Sequence, residues 1–126
     1  MINIGITGTL SSGKSTVAKL ISGGKYSVFS ADKSVKKKGK IKIIEIPHLN
    51  ENKLNKYFDL IVNIAAKKEL RLRRYLRRGG NKKIFTILDN RQFKNKKKIK
   101  NCDYVIYNNK SFKSLKKQVN KLKKRL

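Results

Sequence analysis

Apolar, β-branched runs alternate along the chain with segments in which apolar residues recur every three or four positions. Five runs are predicted to form strands, at residues 2–7, 26–30, 40–46, 58–64 and 104–107. Four segments are predicted to form helices, at residues 15–22, 67–78, 83–90 and 111–126. Strands that alternate with helices favour a three-layer α/β domain, in which a five-stranded parallel sheet carries helices on both faces.

The length of 126 residues suits one such domain, residues 1–126, and leaves no room for a separate substrate domain. The chain has 34 Lys and Arg against 7 Asp and Glu, a net charge of +27. A surface for nucleic acid is one explanation. Drift towards A/T-rich codons is the other and is favoured, because Lys, Asn and Ile together make up 53 residues. The lysine-rich tail at 113–126 contains no aromatic residue for base stacking, which also disfavours nucleic acid without excluding it.

Other broad classes of protein are disfavoured by what the sequence lacks. No apolar stretch approaches the roughly 20 residues of a membrane span, and the N-terminus has no basic leader, so a cytoplasmic protein without a membrane partner is expected. Cys102 and His48 are the single cysteine and histidine, which excludes an internal disulfide and a Cys/His metal site. Cys102 is predicted to be a small packing residue. The oligomeric state is left open.

One local motif carries chemistry. Residues 8–15 read GTLSSGKS, a full match to the phosphate-loop pattern GxxxxGK[ST], between a predicted strand and a predicted helix. Gly8 and Gly13 allow the backbone N–H groups to turn inward and, with the helix N-terminus, to hold phosphate. This position in the fold argues against a chance match. It predicts a P-loop NTPase-like domain that binds ATP.

Within this motif each polar residue has an expected role. Lys14 would lie between the β- and γ-phosphates and act catalytically, Ser15 would coordinate Mg²⁺, and Thr16 would contact the α-phosphate side. The residues expected to bind the nucleotide here are Gly8, Ser11, Ser12, Gly13, Lys14, Ser15 and Thr16.

Two acidic residues are candidates for chemistry: Asp32 follows the second predicted strand and Glu45 lies inside the third. Each has two interpretations. Asp32 could accept the proton of an attacking hydroxyl at the carboxyl end of the sheet, or it could cap the basic turn after it. Glu45 lies among isoleucines and could join Ser15 in a metal site, or it could occupy the surface of an edge strand.

Five arginines on one predicted helix form the next candidate group: Arg71, Arg73, Arg74, Arg77 and Arg78. Arg74 and Arg78 are four residues apart and share a face, so they could contact phosphates together. A solvated helix face is the alternative, and it is the commoner situation. Arg91 and Gln92 are weaker candidates.

Five blocks, in order, resemble the dephospho-coenzyme A kinase family. They are the opening IGITGTLSSGKSTVAKL, SADK at 30–33, EIPHLNEN at 45–52, the helix at 68–78, and RQ at 91–92 followed by CDYVIYNN at 102–109. Three positions depart from the family pattern, with His48 in place of leucine, Arg71 in place of glutamine and Cys102 in place of alanine. The resemblance implies Asp32 as catalytic base, and Arg74, Arg78 and Asn108 as matching nucleotide-site residues.

The resemblance further implies phosphoryl transfer from ATP, with Mg²⁺, to the ribose 3′-hydroxyl of dephospho-coenzyme A. Family members carry several coenzyme A-binding helices between the blocks at 30–33 and 45–52, whereas this chain has only the short basic crossover at 31–40. The sequence therefore predicts an ATP site and leaves the acceptor site open. An impaired, ATP-binding member of the family is the alternative to an active kinase.

Overall fold

The computed structural model describes residues 2–23, 28–30, 41–46, 55–91, 97, 100 and 102–126. Residues 28–30, which form the second strand, are described through their backbone. The strands are β1 (Ile2–Gly8), β2 (Val28–Ser30), β3 (Ile41–Glu45), β4 (Leu60–Ala65) and β5 (Tyr104–Tyr107). The helices with full bounds are α1 (Lys14–Ser22), α2 (Lys68–Arg77), α3 (Lys82–Arg91) and α4 (Phe112–Lys123). A single 3₁₀ turn, Asn55–Tyr57, precedes β4.

The five strands form one parallel sheet in the order β2-β3-β1-β4-β5. In this register Ile6 of β1 lies beside Glu45 of β3 and Val62 of β4. The chain thus proceeds from the central β1 first to one side of the sheet and then to the other. A crevice forms where the connections diverge, beyond the carboxyl end of the central strand. The predicted α/β fold with a five-stranded parallel sheet is confirmed.

The main core lies between one face of the sheet and helices α1 and α4. Parallel strands that are buried read as continuous apolar runs, and β1 and β4 show this pattern. The buried apolar residues of this core are Ile4, Ile6, Val17, Ala18, Ile21, Ile43, Val62, Ile64, Ile106, Leu115, Val119 and Leu122. The buried residues of α4 are spaced three and four positions apart, so the apolar stripe of this helix packs into the core.

A smaller cluster lies on the opposite face, because successive residues of a strand point to opposite sides. Ile46 and Ile61 form its buried part, and Ile44, Phe58 and Cys102 pack against them. Cys102 is therefore a packing residue, as predicted.

Capping interactions account for small differences between predicted and observed element ends. α4 begins at Phe112 because the Ser111 hydroxyl accepts a hydrogen bond from Ser114 N at 3.2 Å. β4 begins two residues later than predicted, because Asp59 pairs with Asn3. The Asp59 carboxylate accepts from Asn3 N at 2.7 Å, and Asp59 N donates to Asn3 O at 2.9 Å.

Helices α2 and α3 pack on each other at the carboxyl end of the sheet. Phe85 of α3 is fully buried, and its ring centroid lies 5.5 Å from that of Tyr75 on α2. The guanidinium of Arg71 anchors α2 to the end of β4, because its Nε donates to Ala66 O at 3.1 Å. This arrangement places one side of α2 over the loop that follows β1.

Candidate active site

The loop between β1 and α1 has the backbone shape that its two glycines permit. Gly13 has φ +103°, and Ser12 N donates to Thr9 O at 3.2 Å to close the turn. A Cβ on Gly8 would collide with the carbonyl of Ile64 and lie 2.8 Å from the Ser12 hydroxyl. Both glycines are therefore required by geometry, as the motif predicted.

Lys14 begins α1 and lies back over this loop. Its Nζ donates to Thr9 O at 3.0 Å and to Gly8 O at 3.4 Å, and only 9% of the residue is exposed. The ammonium is thus held beside the loop backbone, next to a helix N-terminus that itself favours anions.

Ser15 and Glu45 meet at the mouth of the loop. The Ser15 hydroxyl lies 3.0 Å from each carboxylate oxygen of Glu45, and both residues line the same cleft. β3 lies between β2 and β1, so the edge-strand reading of Glu45 is wrong. A hydroxyl and a carboxylate are the hard oxygen ligands that Mg²⁺ prefers, and the pair fits such an ion.

The arginine cluster of α2 divides by face. Arg74 and Arg78 line the cleft together, as their spacing predicted, and Arg77 joins them. Arg78 Nη2 donates to the Ser11 hydroxyl at 2.5 Å. Burial, with the neighbouring Arg77 charge adding, lowers the pKa of Arg74. Arg74 Nη1 is buried and has no hydrogen-bond partner in the described part of the chain, which leaves one donor of this guanidinium unsatisfied.

The remaining two arginines of the cluster, Arg71 and Arg73, do not line the cleft. Arg71 is buried, and its Nη1 pairs with the Asp89 carboxylate at 2.6 Å and also donates to Leu10 O at 3.2 Å. It therefore ties α2 to α3 and to the loop and does not line the cleft. Arg73 is solvent-exposed, and it too lies outside the cleft lining.

Asn108 connects three parts of the site. Its backbone N donates to Ala65 O at 2.7 Å, which fixes it at the end of β5. Its side-chain Nδ2 donates to Ser12 O at 2.9 Å, and Arg74 Nη2 donates to the Asn108 carbonyl at 2.7 Å. The side-chain amide thus contacts the phosphate loop, and the backbone carbonyl of the same residue links it to α2.

These residues enclose a cleft of about 640 Å³. Its lining is Leu10, Ser11, Gly13, Lys14, Ser15, Thr16, Glu45, Arg74, Arg77, Arg78, Asn108, Phe112 and Leu115. Four residues of the lining were not predicted from the sequence, namely Leu10, Arg77, Phe112 and Leu115. An aromatic residue directly after the Ser111 cap was the available signal for Phe112, which is 58% exposed. Gly8 and Ser12, which were predicted to bind the nucleotide, are buried and do not line the cleft.

Some predicted features fall outside the described residues, namely Asp32, the crossover at 31–40, the block at 47–52 and Gln92. Arg91 closes α3 and is exposed. Over the described ranges, no group of three or more His, Cys, Asp or Glu could hold a metal ion. No helix in the same ranges is long and apolar enough to cross a membrane.

Comparison with known proteins decides the family. The model of the dephospho-CoA kinase family matches residues 33–114, about two thirds of the chain. The chain belongs to the dephospho-CoA kinase family. The match begins after the phosphate loop and after Asp32. The identification of the phosphate loop therefore depends on its sequence motif and its geometry.

Two curated dephospho-CoA kinases, from Rickettsia bellii and Rickettsia felis, are 33% and 34% identical to this family member over 79 residues. Those residues are 62% of this chain and 41% of each relative, so the match spans about two fifths of the relatives' length. Among solved structures, TT1252 from Thermus thermophilus superposes with a TM-score of 0.86 at 21% identity, covering 99% of this chain and 97% of that one. An uncharacterized protein from Eubacterium ventriosum superposes with a TM-score of 0.60 at 13% identity, covering 99% and 95%. These two likenesses establish the fold.

Proposed function

We propose that this family member transfers the γ-phosphoryl group of ATP to the ribose 3′-hydroxyl of dephospho-coenzyme A. The observation that carries the proposal is a phosphate loop whose lysine, serine and facing carboxylate share one cleft with the arginines of α2. Membership of the dephospho-CoA kinase family supplies the reaction class and both substrates.

The nucleotide phosphates bind to the loop and are clamped from two sides. The loop N–H groups and the N-terminus of α1 receive the phosphate oxygens, with Lys14 beside the β- and γ-phosphates and Thr16 towards the α-phosphate. Arg74 and Arg78 approach from α2 and neutralise charge on the transferring group. Asn108 holds the loop in this shape through its bond to Ser12 O.

Ser15 and Glu45 would hold Mg²⁺ in this scheme. The ion would neutralise charge on the β- and γ-phosphate oxygens. The protein's own part is to keep the hydroxyl and the carboxylate on one side of the loop, which the register of β3 beside β1 achieves.

Asp32 is proposed to orient and deprotonate the acceptor hydroxyl. The acceptor oxygen forms a bond to the γ-phosphorus, the bond from that phosphorus to the β,γ-bridging oxygen breaks, and ADP leaves. The hydroxyl proton passes to the Asp32 carboxylate. Positioning and charge neutralisation supply most of the acceleration in such transfers.

The test measures, by mass spectrometry, the ATP-dependent formation of coenzyme A from dephospho-coenzyme A by the purified protein. Lys14→Ala and Asp32→Asn are the controls for the transfer step, and both should lose product formation. Product that does not exceed the Lys14→Ala background would reject the enzymatic proposal.

A second candidate is a member of the family that binds Mg-ATP without transferring phosphate. It is favoured by the short crossover at 31–40, where the family's coenzyme A-binding helices are missing. Calorimetry with ATP and Mg²⁺ should then show binding that Lys14→Ala abolishes, without any effect of dephospho-coenzyme A on nucleotide hydrolysis. Detection of coenzyme A would remove this candidate.

A further inference from the structure

A second groove lies between the edge strand β5 and helix α4. It has a volume of about 440 Å³ and is lined by Tyr107, Asn109, Lys110, Ser114, Lys117, Gln118 and Lys121. It shares no lining residue with the nucleotide cleft. The proposed kinase activity gives this groove no role.

The groove is strongly and uniformly basic. Lys117 and Lys121 are four residues apart on α4 and share a face, and Lys110 stands beside them on the loop that follows β5. All three side chains are exposed, and none pairs with a carboxylate within the described residues. No Asp or Glu follows Asp103 in the sequence, whereas eight Lys and Arg do. The local field therefore favours a polyanion.

An aromatic ring stands among these lysines. Tyr107 is 50% exposed, and its backbone is held rigidly because Gln118 accepts from Tyr107 N at 2.9 Å and donates to Tyr107 O at 2.7 Å. The tail at 113–126 has no aromatic residue of its own. The fold supplies one from the neighbouring strand, which removes the objection to base stacking raised from the sequence.

We propose that this groove binds single-stranded nucleic acid. Lys110, Lys117 and Lys121 contact successive phosphates, and the ring of Tyr107 stacks on a base. A basic groove beside an exposed aromatic is the arrangement that single-stranded binders use, and it tolerates any sequence because every base has a π-face.

The packing of α4 argues against an anionic membrane as the partner. A helix that lies in a bilayer surface must insert its apolar side. Leu115, Val119 and Leu122 form that side here, and all three are buried in the protein core. The lysine face could touch lipid headgroups, but the apolar stripe of the helix is not available for insertion into a bilayer.

The experiment measures fluorescence anisotropy of labelled dT12 and rU12 with the full chain, between 50 and 300 mM NaCl. A groove variant, Lys110→Gln/Lys117→Gln/Lys121→Gln, is compared with a variant of equal charge change elsewhere, Lys19→Gln/Lys68→Gln/Lys83→Gln. If charge alone matters, the two variants lose affinity equally and the proposal is overturned. We expect the groove variant to lose about tenfold or more at 150 mM salt and its salt slope to fall by about 2, because each single-strand phosphate contact contributes about 0.7.

Tyr107→Ala tests stacking separately from charge. It should weaken dT12 binding at least about fivefold while leaving the salt slope unchanged. On an abasic oligonucleotide of the same length the wild type and Tyr107→Ala should bind equally, whereas an equal loss on both oligonucleotides would mean a structural defect and reject the stacking role. Binding that appears only with anionic vesicles would assign the groove to lipid and reject the proposal.

The nucleotide cleft must also be excluded as the binding site. Lys14→Ala, or saturating Mg-ATP, should leave oligonucleotide affinity unchanged. Competition by Mg-ATP would place the oligonucleotide in the cleft and overturn the proposal. Failure of kinase activity would not affect any of these outcomes.

Discussion

The Ser15 hydroxyl lies 3.0 Å from both carboxylate oxygens of Glu45, although 30 positions separate the two residues in the chain. Parallel pairing of β3 with β1 brings them together, since Glu45 is registered beside Ile6 just before the loop. The sequence offered this pair as a metal site but left a surface position on an edge strand as an equal alternative for Glu45. Their approach gives the metal hypothesis a geometric basis that the motif did not contain.

Glu45→Gln should reduce the dependence of ATP binding on Mg²⁺. The amide removes the negative charge and keeps the shape, so affinity with Mg²⁺ should fall about tenfold, while affinity in EDTA should stay the same or rise slightly. Calorimetry in the two buffers measures the difference. Glu69→Gln, an exposed glutamate in the first turn of α2, is the matched control. Equal losses with and without Mg²⁺ would argue against a metal role for Glu45.

Gly13→Ala should destabilise the fold by about 2 kcal/mol or more, for two separable reasons. The residue has φ +103°, which strains any residue with a Cβ, and that Cβ would collide with the Asn108 amide. In an Asn108→Ala background the collision is gone and the strain remains. Urea denaturation of the wild type, the two single variants and the double variant should therefore show that Gly13→Ala costs less when Asn108 is alanine. Strict additivity would mean that the contact carries no energy.

Arg71→Ala should destabilise the fold strongly, by about 3 kcal/mol, because it leaves Asp89 with 12% of its side chain exposed and no partner charge. Asp89→Ala should cost a similar amount, and the double variant should cost less than the sum. Arg73→Ala on the same helix is exposed and should change stability by no more than about 0.5 kcal/mol. Coupling near zero between Arg71 and Asp89 would show that the pair is not a stabilising unit.

Arg71 and Arg74 differ in a way that the sequence does not predict. Both lie on α2, yet Arg71 pairs with Asp89 of α3, whereas Arg74 lines the cleft. Spacing predicted that Arg74 and Arg78 share a face, because helical periodicity is local. It could not predict which face α3 would cover, since that depends on packing between elements.

The phosphate loop and the strands were predictable for a related reason. Gly8 and Gly13 are required by backbone geometry within eight residues, and the apolar run of β5 was predicted with its observed bounds. Phe112 and Tyr107 were missed because their roles arise from the junction of β5 with α4. Contacts between distant segments are encoded by register and packing, and the one-dimensional pattern carries neither.

Cys102 should make stability fall at alkaline pH. Burial, with the nearby Asp103 charge adding, raises the pKa of its thiol in the folded state. The unfolded chain then releases its proton at lower pH than the folded one. The contribution is therefore complete below the thiol's ordinary pKa of about 8.5 and is lost progressively as pH rises through the raised pKa of the folded state. Urea titrations between pH 7 and 10 should show a decline that Cys102→Ala reduces. Alkylation by iodoacetamide at pH 8.5 should be slower in the folded protein than in urea, and equal rates would contradict the raised pKa.

Phe112→Ala should weaken ATP binding without weakening the binding of inorganic tripolyphosphate. Phe112 lines the same cleft as Lys14 and Arg78 and is exposed, so its ring is available to the apolar base of a nucleotide held by the loop. Loss of one aromatic contact should cost about fivefold or more in ATP affinity. Tripolyphosphate keeps the charged groups and lacks the base, so its affinity should be unchanged. Tyr57→Ala removes an equally exposed aromatic outside the cleft and controls for nonspecific effects. Equal weakening of ATP and tripolyphosphate would place Phe112 in the support of the loop, away from the base.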